Sequence, residues 1–114
     1  MLSHWVRDRK RGPKIPVELA VRRMTRDTAE LYGLCDRGLL KPGYKADVNV
    51  IDLDEVSLHL PTMQFDLPAG GRRLLQRADG YRYTIVSGQV TMQDGEPTGA
   101  LPGGLIRGER SAPA

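Results

Sequence analysis

The sequence predicts a small α+β protein in which short N-terminal helices are followed by a small antiparallel β-sheet. Residues 17–24 repeat apolar side chains at helical spacing, whereas residues 81–92 alternate in the manner of strands. The chain has 114 residues, of which 39% are hydrophobic and 5% aromatic. A chain of this length and composition supports one small aliphatic core and little net stability.

Two short helices are predicted in the first third of the chain. Pro16 suits the first turn of a helix, and the apolar positions after it share one helical face up to Met24. Thr25 is a good N-cap residue, so we expect a second helix over residues 26–31. Gly33 suits the C-terminal cap of that helix, because glycine adopts a left-handed conformation at low cost.

The sheet is expected to begin after a turn at Pro42-Gly43. Residues 46–53 are rich in valine and isoleucine and predict the first strand. Residues 81–92 predict a short hairpin around Ser87-Gly88, and Asp94-Gly95 marks the following turn.

The remaining segments are predicted to be irregular. Residues 3–15 are charged and contain a Gly-Pro pair, which indicates a loop or tail. Residues 54–79 are interrupted by prolines and by Gly70-Gly71, so they are expected to be mostly loop. The chain then divides into a basic loop with helices (residues 1–34), a strand-rich region (residues 35–97) and a flexible tail (residues 98–114).

Charge and cysteine content restrict the class of protein. The formal charge is +3, which over a whole domain does not indicate nucleic-acid binding. The single cysteine, Cys35, cannot form an intrachain disulfide, and no apolar run has the length of a membrane span. We therefore expect a cytoplasmic protein without membrane association.

The residues that could carry catalysis are few. A catalytic metal site needs about three protein ligands, and the only nitrogen or sulfur candidates are His4, Cys35 and His59, at no recognised ligand spacing. Ser87 lies in a predicted turn rather than in a nucleophile elbow. We expect no catalytic, cofactor-binding or metal-binding residue in this chain, and His59 is interpreted as a half-exposed structural residue.

Two anion-binding patterns compete with simpler interpretations. Gly70-Gly71 with Arg72 and Arg73 could cradle a phosphate, but no Lys-Ser or Lys-Thr follows, which favours a flexible loop. Near the N-terminus a tryptophan stands among basic residues, an arrangement that can grip a phosphodiester backbone. These residues are Trp5, Arg7, Arg9, Lys10, Arg11 and Lys14. Asp8 interrupts the run, so a solvated basic loop is the favoured interpretation.

Carboxylates in the first strand do not form a catalytic pair. Asp47 and Asp52 are five residues apart, which places them on opposite faces of an extended strand. Asp47 is interpreted as a scaffold residue that holds the Pro42-Gly43 turn through bonds from its side chain to the backbone.

Several strings resemble the C-terminal end of amidohydrolases, and in particular the N-acyl-D-amino-acid deacylase (D-aminoacylase) group. They are His4-Trp5-Val6-Arg7-Asp8-Arg9, Arg23-Met24-Thr25 with Ala29, Leu31, Tyr32 and Gly33, Asp36-Arg37-Gly38, Pro42-Gly43, Ala46-Asp47, Ile85-Val86, Gly88-Gln89-Val90 and Asp94-Gly95. The resemblance extends to about Pro97. It implies a (β/α) barrel that carries the metal ligands, zinc being expected, and a small β-sandwich assembled from strands at both ends of the chain. In such a protein, residues 1–34 would include helices from the end of the barrel, and residues 35–97 would form a partial β-sandwich.

No residue of this chain corresponds to those metal ligands. The resemblance therefore implies a structural C-terminal module of a hydrolase of C–N bonds, which is inactive alone. Unpaired sheet edges would lead it to self-associate or to pair with an N-terminal barrel portion. The alternative is a stand-alone binding module that uses the basic N-terminus on an acidic partner or nucleic acid.

Overall fold

The computed structural model describes residues 1–114 and contains an N-terminal π-helical segment, two α-helices and eight strands. The helical elements are the π-helical segment Leu2–Asp8, α1 Val17–Met24, α2 Arg26–Leu31 and a 3₁₀ turn Pro68–Gly70. The strands are β1 Val48–Ile51, β2 Ser57–Leu58, β3 Thr62–Leu67, β4 Gly71–Leu75, β5 Ala78–Asp79, β6 Tyr81–Val86, β7 Gln89–Gln93 and β8 Glu96–Pro97. The predicted α+β class is confirmed.

The two predicted helices are confirmed, and Thr25 separates them. Its hydroxyl does not cap α2 as predicted but donates a hydrogen bond to the carbonyl of Val21 at 2.8 Å. At the other end of α2, the N–H of Gly33 donates to Glu30 and that of Leu34 donates to Ala29. Gly33 has φ of 68°, so it provides the left-handed cap that the sequence predicts.

The four-stranded antiparallel sheet has the order β1-β6-β7-β8 and is open at both edges. The predicted first strand and the β6–β7 hairpin are confirmed. Ser87 and Gly88 form the hairpin turn with φ of 51° and 79°, the two positive values that a type I′ turn requires. The same pattern recurs at Asp94 and Gly95, which connect β7 to β8.

The prediction that residues 54–79 are mostly loop is wrong. The segment contains a two-residue ladder between β2 and β5, and beyond it the β3–β4 hairpin. Ala69 and Gly70, with φ of 58° and 70°, turn the chain between β3 and β4. The glycine pair is therefore part of ordered structure, because Gly70 completes the 3₁₀ turn and Gly71 begins β4.

The N-terminal segment is also more ordered than predicted. Instead of a loop throughout residues 3–15, a π-helical segment places Leu2 in the core, where only 6% of its surface is exposed. Leu2 contacts Ala20 and Val56, and Val6 packs against this cluster. The spacing of four between Leu2 and Val6 puts both on one helical face, and this was the signal in the sequence.

The core is very small for a chain of this mass. Only four residues are buried: Leu2, Ala20, Ala29 and Val56. The accessible surface is 8795 Å² for 12.6 kDa, roughly 2,600 Å² more than a compact monomer of that mass exposes. The radius of gyration is 16.4 Å, where about 13 Å is typical of a compact domain of this length. No helix is both long and apolar enough to cross a membrane.

The C-terminal segment returns to the helices. The N–H of Arg110 donates to Gly33 and its carbonyl accepts from the N–H of Cys35, at 2.8 and 2.9 Å. A parallel bridge joins Leu34 and Arg110. Between these contacts and β8, Leu101 and Leu105 are exposed. The division of the chain at residues 34 and 97 stays a prediction.

Candidate functional site

An apolar groove with a volume of about 730 Å³ lies between helix α1 and strand β1. Nine of its sixteen lining residues are hydrophobic: Leu2, Val17, Val21, Met24, Leu39, Leu40, Val48, Ile51 and Tyr81. Amphipathic spacing in α1 places Val17, Val21 and Met24 along this side of the helix. Because Val21 and Met24 are largely exposed, the groove is an apolar surface that this chain does not cover.

Strand β1 forms one wall of the groove and is also an edge of the sheet. It pairs with β6 only, so the N–H and C=O groups along its other side have no backbone partner. A free strand edge beside an apolar groove can accept an extended segment, which would add a strand and bury its side chains at once.

Arg7 fixes the N-terminal helical segment to the end of β1. Its Nη1 donates to the carbonyls of Leu53 and Asp54 at 2.6 and 2.8 Å. Its Nε and Nη2 donate to the two oxygens of Asp8 at 2.6 and 3.0 Å. These bonds hold the pKa of the Asp8 carboxyl below its usual value. Arg7 is therefore a structural residue that joins the helices to the sheet, rather than part of a free basic surface.

Asp47 fixes the β6–β7 turn and not the Pro42-Gly43 turn, so that interpretation is wrong. Its Oδ1 accepts the N–H of Ser87 at 2.9 Å, and the neighbouring carbonyl of Ala46 accepts the N–H of Gly88 at 2.9 Å. Ser87 lies in the turn between the paired residues Val86 and Gln89, so its N–H has no partner in the β6–β7 ladder and is bonded by an acceptor at the start of β1 instead.

The residues considered for catalysis do not converge. His59 Nε2 lies 2.8 Å from Asp79 Oδ2, and Ser57 donates to the same oxygen at 3.3 Å. The bond from His59 holds the pKa of Asp79 below its usual value. Cys35 is half-buried beside the returning C-terminal segment. No three His, Cys, Asp or Glu side chains are grouped to hold a metal ion, so these residues do not fit the zinc that the family resemblance implies.

The glycine and arginine cluster belongs to the β3–β4 hairpin, so the predicted flexible loop is wrong. Arg73 donates to both oxygens of Asp66 at 2.8 and 2.6 Å, which holds the pKa of Asp66 below its usual value. Met63 and Leu74 lie opposite each other in the ladder, and Phe65 and Leu74 are 67% and 68% exposed. The alternation Thr-Met-Gln-Phe-Asp-Leu could have identified β3 in the sequence.

The geometry as a whole combines a small α+β fold with an open apolar groove beside a free strand edge. The profile of the "Amidohydrolase family" (Amidohydro_3) matches residues 1–92, and the chain belongs to this family. It is 34% identical over 106 residues to a D-aminoacylase of Alcaligenes xylosoxydans xylosoxydans. It is 36% identical over 92 residues to an N-acyl-D-aspartate deacylase of the same organism.

The matches cover most of this chain but little of those enzymes. They include 93% of this chain and 19% of the D-aminoacylase, and 81% of this chain and 16% of the N-acyl-D-aspartate deacylase. The chain thus spans less than a fifth of the length of each relative. No solved structure matches the chain.

Proposed function

We propose that this chain is the C-terminal structural module of a metal-dependent amidohydrolase that hydrolyses the C–N bond of N-acyl-D-amino acids. One observation carries the proposal: the folded chain exposes roughly 2,600 Å² more surface than a compact monomer of its mass. Interfaces of permanent assemblies bury about 2,000–5,000 Å² over both partners, which is about 1,000–2,500 Å² from each partner. Docking against the remainder of such an enzyme would therefore cover up to most of this excess.

The groove and the free edge of β1 are the docking surface in this proposal. An extended segment from the remainder of the enzyme pairs with β1 and places its apolar side chains between the strand and α1. Burial of Val21 and Met24 then supplies a hydrophobic driving force of about 25 cal/mol per Å². Arg7 bonds the N-terminal helical segment, which packs against α1, to the carbonyls of Leu53 and Asp54 just beyond β1.

Catalysis lies outside this chain in the proposal. Zinc, held by residues of the barrel, would activate the attacking water, and no side chain described above takes part in that step. The module acts by supporting the barrel. We expect the enzyme to be cytoplasmic, since the single cysteine, Cys35, provides no disulfide.

A chimera tests the proposal. In the D-aminoacylase of Alcaligenes xylosoxydans xylosoxydans, the segment that matches this chain is replaced by the chain itself. We expect the chimera to bind zinc and to hydrolyse N-acetyl-D-amino acids, whereas the same enzyme without the segment is inactive. The isolated 114-residue chain is expected to show no turnover with added zinc.

Matched substitutions in the chimera locate the docking surface. Val21→Asp places a charge in the groove and should abolish activity, while Leu101→Asp changes an exposed leucine outside the groove and should not. The proposal would be overturned if the chimera that carries this chain without substitutions were soluble and zinc-loaded but inactive. Equal activity of the Val21→Asp and Leu101→Asp chimeras would contradict the assignment of the groove.

A further inference from the structure

The net charge of the chain is concentrated in its first 14 residues. These hold five of the 17 Lys and Arg residues and one of the 14 Asp and Glu residues, so the other 100 residues hold 12 and 13. The basic excess is therefore a local property of the N-terminal segment, and the remaining surface is nearly neutral.

Four of the five N-terminal cations have no ion-pair partner. Arg7 is bonded to Asp8 and to backbone carbonyls, but Arg9, Lys10, Arg11 and Lys14 form no salt bridge. Elsewhere nine arginines, lysines or histidines are paired with carboxylates: Arg22, Arg23, Arg26, Arg37, Lys45, His59, Arg73, Arg77 and Arg82. Closely spaced cations repel one another, and a bound anion would remove that repulsion.

The Arg9 side chain is held in place on three sides. Its guanidinium lies over the indole of Trp5, 4.7 Å from the ring centroid, and its Nε donates to the carbonyl of Arg11. Gly12, whose φ is 79°, lies close to this guanidinium. A Cβ at position 12 would lie 2.9 Å from Arg9 Nη2. The N–H of Ile15 donates to the carbonyl of Trp5 at 3.0 Å and closes the loop. Arg9 loses little conformational entropy on binding a ligand, because its position is already fixed.

A concavity of about 480 Å³ opens beside this guanidinium. It is lined by His4, Trp5, Asp8, Arg9, Lys10 and Arg11. Both oxygens of Asp8 are occupied by Arg7, which reduces the repulsion that this carboxylate would exert on an anion. The volume is within the range of small-molecule sites, and a guanidinium with two adjacent cations suits an oxyanion that carries several charges.

We propose that residues 4–12 form a binding site for a small multivalent phosphate-type oxyanion. The fixed guanidinium of Arg9 donates hydrogen bonds to the phosphate oxygens, and Lys10 and Arg11 neutralise the remaining negative charges of the oxyanion. A long polyanion is a poorer ligand, because the other 100 residues hold more acidic than basic side chains and offer no continuous basic track. The site is separate from the groove and does not depend on the hydrolase function proposed above.

Trp5 makes the site directly observable, since it is the only tryptophan of the chain. Inorganic tripolyphosphate is titrated into the full chain and followed by tryptophan fluorescence and by titration calorimetry. We expect saturable binding that Arg9→Gln weakens by about tenfold or more. Arg72→Gln is the matched control, because Arg72 is an exposed arginine without an ion pair, and it should bind as the wild type does.

Two further variants distinguish the contribution of the fixed guanidinium geometry to binding from the contribution of positive charge alone. Arg9→Lys keeps the charge but loses the planar guanidinium, and Gly12→Ala displaces the guanidinium without removing it; both should weaken calorimetric binding. Affinity for ATP equal to that for tripolyphosphate indicates a site for the phosphate chain alone, and higher affinity for ATP indicates a nucleotide site. The proposal would be overturned if the wild type and Arg9→Gln bound tripolyphosphate with equal affinity. It would also be overturned if single-stranded DNA bound more tightly than tripolyphosphate and Arg9→Gln did not weaken that binding.

Discussion

The β6–β7 and β3–β4 hairpins have strands of five or six residues, but their surroundings differ. Strands β6 and β7 are flanked by β1 and β8, and their turn is held by Asp47 from another strand. Strands β3 and β4 pair only with each other and leave Met63, Phe65 and Leu74 exposed. An isolated two-stranded hairpin is marginally stable in water. The comparison indicates that the four-stranded sheet is the better supported part of the fold and that the β3–β4 hairpin is the weaker part.

Gly80 connects the two regions, so its substitution should have the largest effect. A Cβ on Gly80 would lie 2.6 Å from the backbone nitrogen of Val56 and 2.9 Å from the carbonyl oxygen of Asp52, and its φ is 84°. We expect Gly80→Ala to lower the free energy of unfolding by about 3 kcal/mol, as measured by urea denaturation. Gly95→Ala is the control, because Gly95 has the same φ but open space around it, and it should cost about 1 kcal/mol. Equal losses in both variants would show that the contact with Val56 is unimportant.

Asp47→Ala should have an intermediate effect that is confined to the four-stranded sheet. The substitution leaves the N–H of Ser87 without its carboxylate acceptor, which should cost about 1.5 kcal/mol. Asp47→Asn retains an acceptor oxygen and should recover most of that loss. Amide hydrogen exchange should accelerate in β6 and β7 and stay unchanged in β3 and β4. Faster exchange throughout the chain would contradict the separation of the two regions.

Acid should act weakly, through four carboxyl groups whose pKa is lowered, and two of them lie in the β3–β4 hairpin and at its base. Arg73 and His59 lower the pKa values of Asp66 and Asp79 below the value of the unfolded chain. Their stabilisation is thus fully present above about pH 4 and is lost as the pH falls through the lowered pKa values. The ring signals of Phe65, the only phenylalanine, should broaden or shift in this range. Asp66→Asn should reduce the pH dependence, and an unchanged acid profile in that variant would exclude Asp66 as a cause.

Local signals in the sequence were sufficient for much of the fold. Helical spacing and Thr25 predicted the boundary between α1 and α2, and Ser87-Gly88 predicted the β6–β7 turn. The β3–β4 hairpin was missed because its turn carries Ala69 at positive φ, an uncommon residue in that conformation. Leu2 was missed because its burial depends on Val56, which is distant in the sequence.

The candidate sites were less accessible to prediction from the sequence. The basic residues near Trp5 were identified, but a charge pattern does not indicate that Arg7 bonds to Leu53 and Asp54 while Arg9 stacks on the indole. The groove is formed by α1 and β1, which are separated by more than 20 residues. Such a surface is defined by tertiary contacts and has no local sequence pattern.

The small core also determines how the chain responds to solvent. The denaturant dependence of unfolding and its heat-capacity change both scale with the surface that unfolding newly exposes. An unfolded chain of 12.6 kDa exposes roughly 18,300 Å², so a folded state that exposes 8795 Å² reveals about a fifth less surface on unfolding than a compact monomer would. We therefore expect a shallower transition in urea and a broader one on heating than for a compact domain of this length. Covering the apolar groove would increase the surface that unfolding reveals and would sharpen both transitions.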